Sequence, residues 1–211
     1  IQDIKENLEK VLKLKPEHIS VYSLIVEEGT KIEKQIESGK LQLPDEELER
    51  SMYWYVKNTL EKKGFKHYEI SNFSKEDKES KHNMNCWNQE QYRGFGIAAH
   101  SYIEGVRFSN TANLEEYIEN ISKGDFGNNI RVHERQKEES MKREYMLLGL
   151  RKLEGVSITA FKNKYKENPL FLYKNELNEL VKEKLIIIGG DRIKLTNKGL
   201  DLANLVWEKF V

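Results

Sequence analysis

The first third of the chain changes from a helical to an extended pattern. Apolar residues recur every three to four positions in residues 1–14, which predicts an amphipathic helix that ends before Pro16. The run from His18 to Val26 is β-branched and aromatic with few charges, as is typical of a parallel strand buried on both faces. A short helix is expected within residues 29–39.

The same alternation continues over the next thirty residues. Pro44 and the three acidic residues after it predict a helix start, because the helix dipole favours carboxylates in the first turn. This helix is expected to end at Gly64, and Lys66 to Phe73 forms the next predicted strand. Strands that alternate with helices indicate βαβ units, so the sequence predicts an α/β fold for this half.

The second half is predicted to be mainly helical. A short helix capped by Asn113 precedes a linker rich in glycine, asparagine and aspartate. Four helices and a hairpin with a glycine turn then follow, the hairpin lying before the last helix. Their predicted ranges are Glu134 to Arg151, Ser157 to Lys166, Leu170 to Glu183, Leu185 to Leu195 for the hairpin, and Asn197 to Phe210. This is the element order of a winged helix.

Charge changes sign along the chain although the net charge is zero. Residues 1–130 hold 18 basic and 23 acidic side chains, whereas residues 131–211 hold 17 and 12. The sign change predicts a domain boundary near Arg131. A first domain over residues 1–105, a connecting segment over 106–130 and a helical domain over 131–211 are therefore expected.

Composition excludes several classes of protein. The chain is 33% charged and 38% hydrophobic, which is typical of a folded domain. Its longest apolar runs fall short of the ~20 residues of a membrane span, so no transmembrane segment is predicted. A single cysteine excludes an internal disulfide framework and indicates a reducing compartment, from which we expect a cytoplasmic protein.

Residues 81–102 concentrate the chemically capable side chains and show no helical or strand period before Phe95. They are therefore predicted to form a site. His82 and Cys86 carry the imidazole nitrogen and thiolate sulfur that bind iron, and Trp87 and Tyr92 offer flat faces to a macrocycle. The alternative interpretation is a buried loop whose polar side chains satisfy backbone groups, with Cys86 as a small buried hydrophobe.

The same stretch resembles a known family. His82-Asn83-Met84-Asn85-Cys86-Trp87 is similar to the H-N-x-x-Y-W segment of the HemW-type heme chaperones, and Gly94 to Ser101 is similar to their G-x-G-x-x-A-x-S segment. These are radical S-adenosylmethionine proteins related to the oxygen-independent coproporphyrinogen III oxidases. Further motifs occur in the family's order, namely HISVYSLIVEEGT, LPDEE, HYEISNF, LLGLRKLEGV and IKLTNKGL, so the resemblance covers nearly the whole chain.

The resemblance implies a fold and a function. Residues 1–105 would form the C-terminal βα units of an incomplete radical S-adenosylmethionine (β/α) barrel, followed by a winged-helix-like domain. The parent protein would bind heme and transfer it to apoproteins. In the alternative, it would be a coproporphyrinogen III oxidase that decarboxylates porphyrinogen propionates in heme biosynthesis.

The family's cofactors are heme, S-adenosylmethionine and a 4Fe–4S cluster. The cluster needs three cysteines spaced C-x-x-x-C-x-x-C, and this chain has one, so the chain alone is expected to catalyse nothing. It opens at Ile1 inside an amphipathic pattern, which predicts a piece of a longer protein. Open edges on an incomplete sheet would favour a dimer.

The resemblance also implies site residues. His82 is expected to be the axial ligand of heme iron, and Asn83, Cys86, Trp87 and Tyr92 would complete the heme or porphyrinogen site. Cys86 replaces the family's tyrosine, which removes a ring and adds a thiolate that would compete with His82. The remaining two candidates, expected near S-adenosylmethionine, are Ile25 and His100. Gly94 and Gly96 predict close backbone approach or positive φ.

The sequence also bears on nucleic-acid sites and on zinc sites. A winged helix suggests nucleic-acid binding, but Tyr173 to Lys184 carries three lysines against three glutamates and offers no surplus of positive charge to phosphates. No nucleic acid is therefore expected. No two histidines have the i, i+4 spacing of a helical zinc site, so no zinc site built from protein ligands alone is predicted.

Overall fold

In the computed structural model, which describes all 211 residues, the chain divides into two units, Ile1–Glu79 and Ser80–Val211. Both units combine helices with a small sheet or sheets, so the predicted mixed α/β class is confirmed. The domain boundaries expected at residues 105 and 130 both lie inside the second unit. They fall there because three strands between residues 100 and 135 pair with one another.

The first unit contains three helices and three strands. They are α1 (Gln2–Lys13), β1 (His18–Ser20), α2 (Lys31–Glu37), α3 (Glu46–Lys62), β2 (Lys66–Glu69) and β3 (Asn72–Ser74). All three helices lie where the sequence predicts them. In α3 the carboxylate of Asp45 accepts a hydrogen bond of 2.7 Å from the Leu48 N–H, which satisfies a backbone donor of the first turn.

The predicted parallel strand over residues 18–26 does not form. Strand β3 lies at the centre of the sheet and pairs antiparallel with both β1 and β2. Only three residues of the apolar run join this sheet, and Leu24 and Ile25 are 57% and 76% exposed. An apolar run indicates a strand but does not determine its partners, and β1 has a partner on one edge only. The second predicted strand, 66–73, folds into the β2–β3 hairpin.

The core of the first unit lies between α1, α3 and the sheet. Helices α1 and α3 contribute Leu8, Val56 and Leu60, and the segment after α3 contributes Phe65 and Phe73. Burial of these side chains is the main source of stability in a unit of this size, at roughly 25 cal/mol per Å² of apolar surface removed from water.

The second unit opens with elements that the sequence did not predict. They are helix α4 (Lys81–Trp87) and strands β4 (His100–Ile103), β5 (Val106–Asn110) and β6 (Ile130–Arg135), with the predicted helix α5 (Leu114–Ser122) between β5 and β6. The three strands form an antiparallel sheet in the order β4-β5-β6. Residues 106–130 were expected to be a connecting segment with one helix, and β5 corrects that expectation.

The rest of the second unit follows the predicted winged-helix order, except that the helices predicted over 170–183 and 197–210 are each divided into two and that a short strand, β7, was not predicted. It comprises α6 (Glu138–Gly149), β7 (Val156–Ser157), α7 (Ile158–Tyr165), α8 (Pro169–Leu172), α9 (Lys174–Lys182), β8 (Ile186–Gly189), β9 (Arg192–Leu195), α10 (Asn197–Asp201) and α11 (Ala203–Trp207). Strand β9 lies between β7 and β8. Helix α6 starts four residues later than predicted because residues 130–135 extend as β6.

The interior of this domain is closely packed. Met146, Leu150, Phe161, Ile193 and Val206 have no exposed surface. The leucines of α9, Leu177 and Leu180, are also buried, as expected of a helix that packs against a core. None of the helices is long and apolar enough to cross a membrane.

Candidate functional site

Helix α4 carries four of the five residues proposed for the heme site. The helix begins at Ser80, whose Oγ accepts a hydrogen bond of 3.3 Å from the Asn83 N–H. Side chains four positions apart lie on one face of a helix, so His82 and Cys86 are neighbours. Their Nε2 and Sγ atoms are 3.8 Å apart. A region predicted to lack regular structure is therefore helical, and the helix creates this contact.

His82 is exposed and lies against an aromatic ring. The Tyr92 ring meets the imidazole edge to face, with centroids 5.9 Å apart and planes at 80°. Tyr92 is held by two backbone hydrogen bonds with Tyr102, of 2.9 and 3.0 Å, which extend the β4 edge of the sheet by one pair. The sheet thus fixes the ring beside which the predicted iron ligand stands.

Cys86 is half-buried in the wall of a cavity of about 150 Å³, which is also lined by Trp87, Gln89, Glu90, Tyr92, Tyr102, Arg107 and Leu148. Burial raises the pKa of the Cys86 thiol, and the charge of Arg107 partly opposes this. Two buried polar atoms of the lining, Trp87 Nε1 and Tyr102 Oη, have no hydrogen-bond partner within the chain.

Two residues of the winged-helix domain, Glu144 and Tyr165, form hydrogen bonds with residues that line this cavity. The Arg107 guanidinium lies 4.8 Å from the Tyr102 ring centroid and donates to the Glu144 carboxylate at 2.5 Å. Glu144 also accepts from Gln89 Nε2 at 3.0 Å, and Gln89 Oε1 accepts from Tyr165 Oη at 2.5 Å. Burial, followed by the negative charge of Glu144, raises the pKa of Tyr102.

The sequence did not single out Gln89, Tyr102, Arg107 or Glu144. Arg107 and Glu144 are 37 residues apart and have no local pattern in common, so no signal within one window of sequence joins them. Tyr102 ends the stretch that was singled out, and its pairing with Tyr92 requires the sheet that was not predicted.

His100 lies on β4 and belongs to a different cluster. Its ring stacks on His133 of β6 with centroids 5.3 Å apart, and His133 Nε2 is 2.8 Å from Ser109 Oγ. The preceding glycines have the conformational roles predicted for them. A Cβ on Gly94 would lie 2.3 Å from the His100 carbonyl oxygen, and Gly96 has φ of +100°.

Ile25 lies in the first unit and is mostly exposed, so its interpretation as a residue of a buried strand is wrong. Residues just before it line a largely apolar cavity of about 290 Å³, to which Val21, Tyr22, Ser23 and Leu24 contribute. The two residues expected near S-adenosylmethionine, Ile25 and His100, are thus in different units.

Comparison with known proteins identifies relatives over the whole chain. Residues 137–202 match the HemN C-terminal domain family. The chain is 38% identical to the heme chaperone HemW of Lactococcus lactis subsp. lactis over 209 residues, which is 99% of this chain and 54% of that protein. It is 39% identical to the heme chaperone HemW of Bacillus subtilis over 211 residues, or 100% and 55% of the two chains.

A solved structure shares the fold. The coproporphyrinogen III oxidase HemN of Escherichia coli, a radical S-adenosylmethionine enzyme, superposes with a TM-score of 0.69 over 96% of this chain and 50% of that chain. The sequence identity is 16%, so this likeness concerns the fold alone. The chain spans about half the length of the relatives that it matches.

Proposed function

We propose that the protein binds heme and transfers it to apoproteins, because the chain is similar to HemW heme chaperones over nearly its whole length and residues 137–202 match the HemN C-terminal domain family. The observation that carries the proposal within the chain is the exposed imidazole of His82, which contacts Cys86 and the Tyr92 ring, two residues that line a cavity. An accessible imidazole nitrogen is the commonest axial ligand of heme iron.

The residues around His82 suit a macrocycle held at the surface. Pockets that enclose drug-sized ligands have volumes of about 300–1,000 Å³. The cavity beside Cys86 has about 150 Å³, so a porphyrin would lie over its mouth, with one edge or one substituent inside. Trp87 is half-buried beneath the Arg151 guanidinium, 4.5 Å from its ring, which leaves Tyr92 as the ring nearest to His82. A shallow site is suited to a cargo that has to be released.

A coproporphyrinogen III oxidase remains the alternative function for the same fold. Fold likeness at 16% identity does not identify a substrate. The chemistry of the site favours heme, because an axial ligand acts on a macrocycle that contains a metal and porphyrinogens contain none. The candidate ligand His82 therefore supports the chaperone.

S-adenosylmethionine and a 4Fe–4S cluster are proposed for the full-length protein. The chain has a single cysteine, so thiolate ligands of a cluster have to come from residues other than those of this chain. Ile25 and His100 remain the residues proposed to approach S-adenosylmethionine. Spectra of the full-length protein reconstituted with iron and sulfide, with and without S-adenosylmethionine, would test both cofactors.

We further propose a cytoplasmic protein that binds no nucleic acid. The single half-buried thiol is consistent with a reducing compartment. Tyr173 to Lys184 carries three lysines against three glutamates, which leaves no surplus of positive charge for phosphates. A dimer is proposed through the exposed residues Tyr22, Leu24 and Ile25. Sedimentation over a range of concentrations tests the dimer, and a mobility shift with duplex DNA tests the exclusion of nucleic acid.

Hemin titration followed by the Soret band tests heme binding. We expect a saturable shift at one heme per chain, and loss of saturation in His82→Ala/Cys86→Ala, which removes both iron-binding atoms of α4. His133→Ala, an exposed imidazole outside α4, is the control and should bind like the unmodified chain. Iron-free protoporphyrin is expected to bind at least about tenfold more weakly, a difference of about 1.4 kcal/mol. A double variant that still saturates normally would contradict the site.

A further inference from the structure

We propose that His82 and Cys86 form a ligand-exchange pair, in which each binds the heme iron in turn from the same face of the porphyrin. This exchange rests on the heme binding proposed above and describes how that site would hold and release its cargo. It requires two iron-binding atoms that lie close together and cannot bind the iron simultaneously.

The first requirement is met by the spacing of the two side chains. His82 Nε2 and Cys86 Sγ are 3.8 Å apart on successive turns of α4. Imidazole nitrogen and thiolate sulfur bind first-row metals at about 2.0 and 2.3 Å. A movement of the iron by only a few ångströms, with side-chain rotation, is therefore enough to exchange one donor for the other.

The two donors exclude each other on one heme. Ligands on opposite faces of a heme have the whole macrocycle between them, and α4 advances only about 5.4 Å per turn, so a porphyrin cannot pass between side chains four residues apart on one side of a helix. Both donors therefore face the same side of the macrocycle. That side offers one axial position, because the four porphyrin nitrogens occupy the equatorial ones.

The two donors differ in their access to solvent. Exchange between them would therefore move the iron between a half-buried and an exposed position. Cys86 is half-buried and lines the cavity with Trp87 and Tyr92, whereas His82 is exposed. Ligation by Cys86 would hold the iron toward the cavity, and ligation by His82 would hold it toward solvent. The Tyr92 ring, edge to face with the imidazole, lies beside the His82 position.

The exchange balances without a change in the oxidation state of iron. The Fe–S bond breaks, the Cys86 thiolate takes up a proton from water, and the lone pair of neutral His82 Nε2 forms the Fe–N bond. The reverse step returns the proton. Heme held by His82 is then the form from which an acceptor protein would take the heme.

Spectra of the hemin complexes of single variants test this proposal in the full 211-residue chain, freed of other metals by chelator. Cys86→Ala is expected to show imidazole ligation, and His82→Ala thiolate ligation, in ferric electron paramagnetic resonance and in the Soret band. Both single variants should bind one heme with Kd within about tenfold of the unmodified chain. Only His82→Ala/Cys86→Ala should lose saturable binding, and His133→Ala should change nothing.

Alkylation of Cys86 gives a readout that does not depend on affinity. In the heme-loaded unmodified chain, iodoacetamide should modify Cys86 at an intermediate rate, since the thiolate binds iron for part of the time. In heme-loaded His82→Ala, Cys86 should be fully protected. Cys86→Ser retains the size of the side chain and serves as the folding control for Cys86→Ala, with circular dichroism of every variant.

Three outcomes would overturn the exchange. If His82→Ala binds no heme while Cys86→Ala behaves like the unmodified chain, His82 is the sole ligand and the proposed heme function still stands. A spectrum with imidazole and thiolate on one iron at once places the two donors on opposite faces. If the unmodified chain shows no saturable binding, both the exchange and the proposed function fail.

Discussion

His67 is a buried imidazole whose ionisation the folded first unit opposes. Its ring stacks on Phe73 with centroids 4.3 Å apart, and its Nε2 atom is 3.1 Å from the Ile70 carbonyl oxygen. Burial lowers the pKa of His67, and the hydrogen bond to Ile70 opposes this only in part. The folded chain therefore keeps His67 neutral at a pH at which the unfolded chain binds a proton.

The free energy of unfolding should depend on pH through this residue. Because the unfolded state binds more protons, the contribution of His67 to stability is complete above about pH 6.5 and is lost as the pH falls toward the folded pKa. We expect a slope of at most about 1.4 kcal/mol per pH unit from this group. Urea unfolding of the unmodified chain and of His67→Gln between about pH 7 and 5 measures it.

The glutamine variant removes the ionisation but retains a polar side chain. It is expected to be less stable than the unmodified chain at pH 7 and to lose less stability on acidification. His133→Gln, at an exposed histidine, serves as the control for the general effect of losing an imidazole. Parallel pH profiles for His67→Gln and the unmodified chain would show that His67 does not make this contribution.

Among the elements, α10 is positioned by a close backbone contact. A Cβ on Gly199 would lie 1.9 Å from the Leu185 carbonyl oxygen, which also accepts a hydrogen bond of 2.9 Å from the Thr196 N–H. Gly199→Ala has to displace either α10 or the segment before β8. By contrast, a Cβ on Gly189 meets no atom within 4 Å, and its φ is not in the left-handed region.

Gly199→Ala is expected to destabilise the chain by about 1–3 kcal/mol, the usual cost of forcing extra atoms into a packed region. Gly189→Ala adds the same methyl group in open space and should change stability by less than about 0.5 kcal/mol. Chemical denaturation followed by circular dichroism compares the two. Equal stabilities for the two variants would mean that α10 moves at no measurable cost.

Local signals account for the elements that the sequence predicted. Helix α3 has an Asp45 cap, acidic residues in its first turn and a glycine stop, all readable within one window. Helix α4 was missed because its seven residues have no apolar stripe, and its cap, Ser80, is one residue among many. Strand β5 was missed because its alternation of apolar and polar residues, from Val106 to Ser109, is only four residues long.

The candidate site was predictable in its residue types and not in its geometry. His82, Cys86, Trp87 and Tyr92 fall within eleven residues of sequence, and they remain the predicted ligands and flat faces. Their environment depends on pairings between distant residues, such as Arg107 with Glu144 and Gln89 with Tyr165. Such contacts follow from tertiary packing, which no local period encodes.

For the molecule as a whole, the division at Glu79 assigns the proposed heme chemistry to one unit. His82, Cys86 and Tyr92 and the residues that anchor their cavity all lie within Ser80–Val211. That unit has its own core, in which Met146, Leu150 and Phe161 are completely buried. A unit with a separate core is expected to fold as a separate cooperative element.

Residues 80–211, produced alone, are therefore expected to unfold in one cooperative transition. They should also bind one heme with a Kd within about threefold of that of the whole chain, which is a difference of about 0.7 kcal/mol in binding free energy. Circular dichroism during thermal unfolding establishes the fold first, and hemin titration follows on the same sample. His82→Ala/Cys86→Ala made in residues 80–211 is the matched control and should abolish saturation there too. If residues 80–211 fold cooperatively and yet bind no heme while the whole chain does, the first unit contributes directly to the site.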